Sequence, residues 1–166
     1  MPQPARMATG LRHPVDRAIS HYNFILTRPP QRQVVHGALT PDDMRVPFRA
    51  WLAEFPPAGN HLIWMLFHVL GDSPRVFDFS RRAGVEEYRV VSDRLHEFAN
   101  VHLAEAGGVA TAIGPLTGRG PRIENVNRQH AVDPAAPEAR AAAAAACQFD
   151  IAIYEQARRQ FSGFQA

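Results

Sequence analysis

Lysine is absent from this chain: all 18 basic residues are arginine. No lysine amine can therefore serve as nucleophile, general base or phosphate-loop charge. Cysteine occurs once, as Cys147, which excludes an internal disulfide framework and a cysteine-based zinc site. Long hydrophobic runs are missing too. The longest apolar stretch, His61 to Leu70, is roughly half a membrane span and is broken by His68. The first residues lack the apolar core of a signal peptide, so the expected location is the cytoplasm, with no membrane span. Charge of one sign is scarce as well. Eighteen basic residues against 16 acidic ones leave +2, so the pI of 9.2 rests on two surplus charges and points to no nucleic-acid partner.

What is present reads as a globular protein. With 46% apolar and 20% charged residues over 166 positions, a single domain spanning residues 1–166 with its own core is expected. No internal repeat is found. Nucleotide bias accounts for the Ala-, Arg- and Pro-rich composition and, with it, for the missing lysine.

The pattern along the chain is mostly helical. Met7 to Leu11 reads as a brief strand ending at Arg12-His13-Pro14. Pro14 suits a first helical turn, and Val15, Ala18, Ile19, Tyr22 and Leu26 follow on one face. Thr40, Pro41 and Asp43 resemble a capped helix start. Pro47 restarts that helix, with Phe48, Trp51, Leu52 and Phe55 on its apolar side. Asn60 to Leu70 predicts a buried helix closed by Gly71, and Val85 to Val91 a short strand. Leu95, Phe98, Ala99, His102 and Leu103 predict an amphipathic helix stopping at Gly107-Gly108. Residues 114–137 read as a long loop. Ala139 to Ala146 favours helix and leads into Phe149, Ile153, Tyr154, Ala157 and Phe161. Trp51 and Trp64, with Phe48, Phe55, Met65 and Phe67, are expected in the core.

The stretch Arg12 to Tyr22 carries the most chemistry. If a strand ends at Arg12 and a helix begins at Pro14, the first-turn N–H groups and the helix dipole attract an anion. Arg12 adds a two-pronged contact to phosphate oxygens, and Ser20 a hydroxyl donor. Arg17 either reinforces that charge or pairs with Asp16.

Arg12-His13-Pro14-Val15-Asp16-Arg17 with Ser20 and Tyr22 resembles the 3′-phosphate motif of sulfotransferases that use 3′-phosphoadenosine 5′-phosphosulfate (PAPS). The likeness is to the group holding the heparan sulfate 2-O-sulfotransferases and bacterial sulfotransferase-family proteins. Softer likenesses follow at Asn60-His61-Leu62, Val90 to Phe98 and Asn125-Val126-Asn127, and a more specific one at Asp150 to Ala157. The resemblance implies a P-loop-like α/β fold, truncated at its N-terminus and mostly helical as it stands, with a minimal residual sheet. It implies that Arg12 and Ser20 bind the 3′-phosphate of PAPS or its desulfated product PAP, with Arg17 secondary. The glycine-flanked Arg119 and Arg122 are candidate contacts from a covering loop. It further implies a hydroxyl-bearing acceptor, carbohydrate or small molecule, and no metal.

The family's 5′-phosphosulfate loop, with its lysine, and its acid/base residue have no counterpart in these residues. Little or no turnover is therefore expected of this chain alone, and missing strands favour a homo-oligomer or marginal stability. The alternative is an inactive helical binding or assembly module derived from that fold. Eight histidines form no tight metal-ligand pattern, and surface or capping roles are expected for them. His13 and His21, flanking the anchoring motif, are the better placed to touch phosphate. Asp42-Asp43 and Glu86-Glu87 read as capping or solvated carboxylates.

Overall fold

The computed structural model describes residues 7–70, 81–103 and 131–161. These form a mostly helical assembly around one small sheet. In chain order the elements are β1 (Met7–Leu11), α1 (Pro14–Ile25), α2 (Pro30–Val35), α3 (Phe48–Glu54) and α4 (His61–Leu70). There follow α5 (Val85–Arg94), β2 (Phe98–Leu103), α6 (Pro137–Ala146) and α7 (Gln148–Phe161). Short 3-10 turns at Pro56–Ala58 and Leu95–Glu97 lead into α4 and β2. No helix among the described residues is long and apolar enough to cross a membrane.

The sheet joins distant parts of the chain. β1 and β2 pair in parallel, Thr9 opposite Val101 and Leu11 opposite Leu103, with an irregularity between Met7 and Ala8. Parallel strands need a long crossover, and here helices α1 to α5 provide it.

The core has two parts. Leu11, Phe98 and Val101 of the sheet pack with Ile63 and Phe67 of α4 and Ile153 of α7. Ile19 and Tyr22 of α1 pack with Trp51 and Phe48 of α3 and with Ala139 and Ala143 of α6. Ala139 and Ala143 lie one turn apart and are buried, which lets α6 approach its neighbours closely. Trp51 is fully buried, and its indole N–H donates to the His36 carbonyl at 2.8 Å.

The expected strand and helix around Arg12 are present, as are α4 and the apolar side of α3. Several expectations need correction. Val85 to Val91 is helix, because the Glu87 carboxylate takes the Gly84 N–H at 2.9 Å and closes the first turn. Val91 and Leu95, one turn apart, are then both buried. Phe98 to Leu103 is strand rather than helix. Arg94 pairs with Glu97 at 2.6 Å and His96 bonds the Asp93 carbonyl at 2.8 Å, ending α5, and β1 then supplies a backbone ladder. Helix propensity yields to that ladder.

Thr40 starts no helix. Its N–H donates to the Met44 carbonyl at 2.9 Å and its hydroxyl accepts the Met44 N–H at 3.1 Å, closing a turn with Asp43 at φ 58° and a bridge from Leu39 to Arg45. Met65 is 44% exposed rather than core, because Leu62, Leu66 and Leu70 occupy the buried side of α4. The C-terminal helical stretch is two helices, broken at Cys147.

Candidate functional site

The β1–α1 junction is built from both ends. Leu11 is anchored in the core, and Pro14, whose missing N–H is no loss in a first turn, starts α1. Between them Arg12 is exposed and folds back along the helix. Its Nη1 donates to the Ser20 Oγ at 3.2 Å. The N-cap residue His13 makes no side-chain capping bond to the first N–H groups of α1. The exposed guanidinium of Arg12 and the half-buried hydroxyl of Ser20 thus meet along α1, while Pro14 and Val15 at its start are buried.

Arg17 behaves differently. Asp16 does not pair with it: the Asp16 carboxylate takes Arg140 Nη1 at 2.6 Å and lies 4.0 Å from His13 Nδ1. Arg17 instead turns inward. Its Nε is buried, and among the described residues its guanidinium has no hydrogen bond or ion pair. Burial lowers its pKa first, and Arg12 adds to that, while Asp150 and Cys147 act in the other direction. The site thus holds one exposed cation and a second, poorly compensated one behind it.

The groups around Arg17 were not assigned there from sequence. His21, one turn on, is pushed down to about 4 by burial, then by the Arg17 and His36 charges. His61 is pushed down to about 3 by burial, then by Arg17 and His21. The two rings lie 5.9 Å apart, and His21 also sits 6.3 Å from His36 and edge-on to Trp51 at 5.8 Å. Both are neutral near pH 7. Among the described residues no three His, Cys, Asp or Glu are placed to hold a metal ion.

Asp150 is the carboxylate facing this cluster. It is fully buried and accepts the N–H groups of Leu62 at 2.8 Å and Ile63 at 2.9 Å. Burial pushes it up to about 6, against Arg17 and those two N–H groups. The signal in the sequence was a lone carboxylate on the face otherwise made by Ile153, Tyr154, Ala157 and Phe161. Cys147, beside it, is pushed up to about 11 by burial and by Asp150, so its thiol stays protonated near neutrality.

His13 packs edge-on against Tyr154 at 5.1 Å and so belongs to the α1–α7 contact. Glu87 is buried and bonded to Arg81, as expected of a capping carboxylate. Arg119 and Arg122, with Asn125 to Asn127, lie outside the described residues. Compared with protein-family models, curated proteins and solved structures, the chain matches none.

Proposed function

We propose that the β1–α1 junction binds the 3′-phosphate of a PAP-type nucleotide and that the chain is a sulfotransferase-type domain. The observation that carries this reading is the approach of Arg12 to Ser20, eight residues apart, along the first two turns of α1. A phosphate bound there accepts from the guanidinium and the hydroxyl at once, and charge-assisted contacts of this kind are the strong ones. It also supplies negative charge near Arg17, which lacks an ion-pair partner among the described residues. Arg12 and Ser20 are the direct contacts. Arg17 acts from behind through its charge, and Arg119 and Arg122 are further contacts from a covering loop. The acceptor is a hydroxyl-bearing carbohydrate or small molecule.

Binding and turnover separate in this reading. Sulfuryl transfer needs charge stabilisation at the transferring group and a base for the acceptor hydroxyl. These 166 residues contain no lysine to supply that charge. Little or no turnover by this chain is the expectation.

Titration of PAP into wild type and Arg12→Ala, followed by calorimetry, tests the proposal. Arg12 is exposed, so the variant keeps the fold, which circular dichroism verifies. Saturable binding that weakens about tenfold or more in the variant supports the nucleotide site. No binding at millimolar PAP overturns it and leaves the non-enzymatic helical module.

A further inference from the structure

A basic pocket opens further along the chain, at the C-terminal end of α1. It has a volume of about 440 Å³ and is walled by His21 and Phe24 of α1, Arg28 and Pro29 of the following turn, and Arg32 and His36 at α2. That volume falls in the range of small-molecule sites, roughly 300–1,000 Å³.

The walls are held in place by the backbone. The Gln33 side-chain amide donates to the carbonyls of Leu26 at 3.3 Å and Arg28 at 2.6 Å, tying α2 to the end of α1. Thr27 Oγ1 donates to the Phe24 carbonyl at 2.7 Å. Trp51 holds the His36 carbonyl from below, and Gly37, at φ 67°, turns the chain away under the Phe55 ring. The pocket therefore does not depend on a ligand for its shape.

Its charge is one-sided. Among the described residues no carboxylate lines it, and neither Arg28 nor Arg32 pairs with one. Arg28 lies over the Phe24 ring, 4.0 Å from its centroid, which fixes the guanidinium plane and leaves its N–H edge available. Among the described residues no hydrogen bond engages the ring nitrogens of His21 or His36. His21 is neutral near pH 7, so it presents one N–H and one lone pair. Ile25, Pro29 and Phe24 provide an apolar wall beside these polar groups.

We propose that this pocket is a binding site for a small organic phosphomonoester. Arg28 and Arg32 hold the dianionic head, His21 and His36 donate to its remaining oxygens, and the apolar body rests on Ile25 and Pro29. Two guanidinium groups without a carboxylate match a dianion better than a single-charge head. The proposal is independent of the nucleotide reading, because Arg12 and Ser20 do not line the pocket.

Phenyl phosphate, inorganic phosphate and benzoate, each titrated into the full chain and followed by NMR, test it. Phenyl phosphate is expected to saturate the His21 and His36 resonances and to bind more tightly than the other two probes. The double variant Arg28→Ala/Arg32→Ala is expected to weaken it about tenfold or more, while Arg12→Ala leaves it unchanged. Both arginines are exposed, and a folded spectrum of the double variant confirms that its core is intact. The proposal is overturned if phenyl phosphate fails to saturate wild type or if the double variant binds like wild type. Equal affinity for inorganic phosphate removes the organic part of the ligand, and loss of binding in Arg12→Ala assigns the anion to the other site.

Discussion

Asn60 and Asp150 cap each other's helices. Asn60, at φ 53° just before α4, accepts the N–H groups of Phe149 at 3.2 Å and Asp150 at 3.4 Å at the start of α7. Asp150 returns the bond, accepting Leu62 and Ile63 at the start of α4. A helix start leaves four N–H groups without partners, and a buried start needs them met. Each helix here uses the other's side chain. The junction also stands behind Arg17, so its integrity bears on that side chain's surroundings.

The exchange predicts an order of stability for two substitutions at Asp150. Asp150→Asn keeps one acceptor oxygen but turns an amide towards a second donor, at a cost of about 1–3 kcal/mol. Asp150→Ala strands both N–H groups and costs more, about 1–3 kcal/mol for each donor. Urea unfolding followed by tryptophan fluorescence reads the order. Wild-type stability in Asp150→Ala would contradict the capping role.

The histidines give the protein an acid-sensitive interior. His21 and His61 titrate in the fold at about 4 and about 3, below their ordinary 6.5, so the unfolded chain takes up more protons between these values. The stability they contribute is full above about pH 6.5 and drains as pH falls. Asp150 works in the opposite sense. Its value, raised from 3.8 to about 6, makes its ionisation cost stability as pH rises through that window. Two depressed histidines outweigh one raised carboxylate, so stability falls on acidification. His61→Gln is expected to lose less stability than wild type between about pH 7 and about pH 5. Urea midpoints at the two values measure the difference, and parallel losses would count against it.

Gly59 marks the closest approach between the turn before α4 and the end of α6. A Cβ there would lie 2.5 Å from the Ala146 carbonyl oxygen and 2.9 Å from Arg82 Nη1. Arg82 in turn donates to the carbonyls of Leu52 and, at 2.8 Å, Ala53. The oxygen belongs to backbone and cannot swing aside. Gly59→Ala is expected to cost about 1–3 kcal/mol through overpacking. Thermal melts compared with wild type report it, and an unchanged melting temperature would show that the two segments can separate freely.

Local features were legible in the sequence where one short stretch decides the outcome. Pro14 and the spacing of Val15, Ala18, Ile19 and Tyr22 place α1, and the same stretch points to Arg12 and Ser20. Where a distant partner decides, the pattern misleads. Phe98 to Leu103 has helical spacing, yet its backbone bonds go to β1 at the other end of the described chain. The apolar residues of α4 run all round the helix, so nothing local tells Met65 from Leu66. Arg17 and His21 are one turn apart, but only the packing of α7 and α4 turns them towards a buried carboxylate. The carboxylate itself, on the apolar face of α7, was the readable clue.

The parallel pairing of β1 with β2 sets when Arg12 and Ser20 can come together. Arg12 directly follows a strand whose ladder is supplied by Phe98–Leu103, and α1 packs on helices later still in the chain. On a ribosome, residues 7–25 emerge long before any of these partners. Contacts so far apart in sequence form slowly, because a large loop must close before they are rewarded. The Arg12–Ser20 geometry is therefore a product of the last folding events. A nascent or C-terminally shortened chain would carry Arg12 and Ser20 without the means to hold them together.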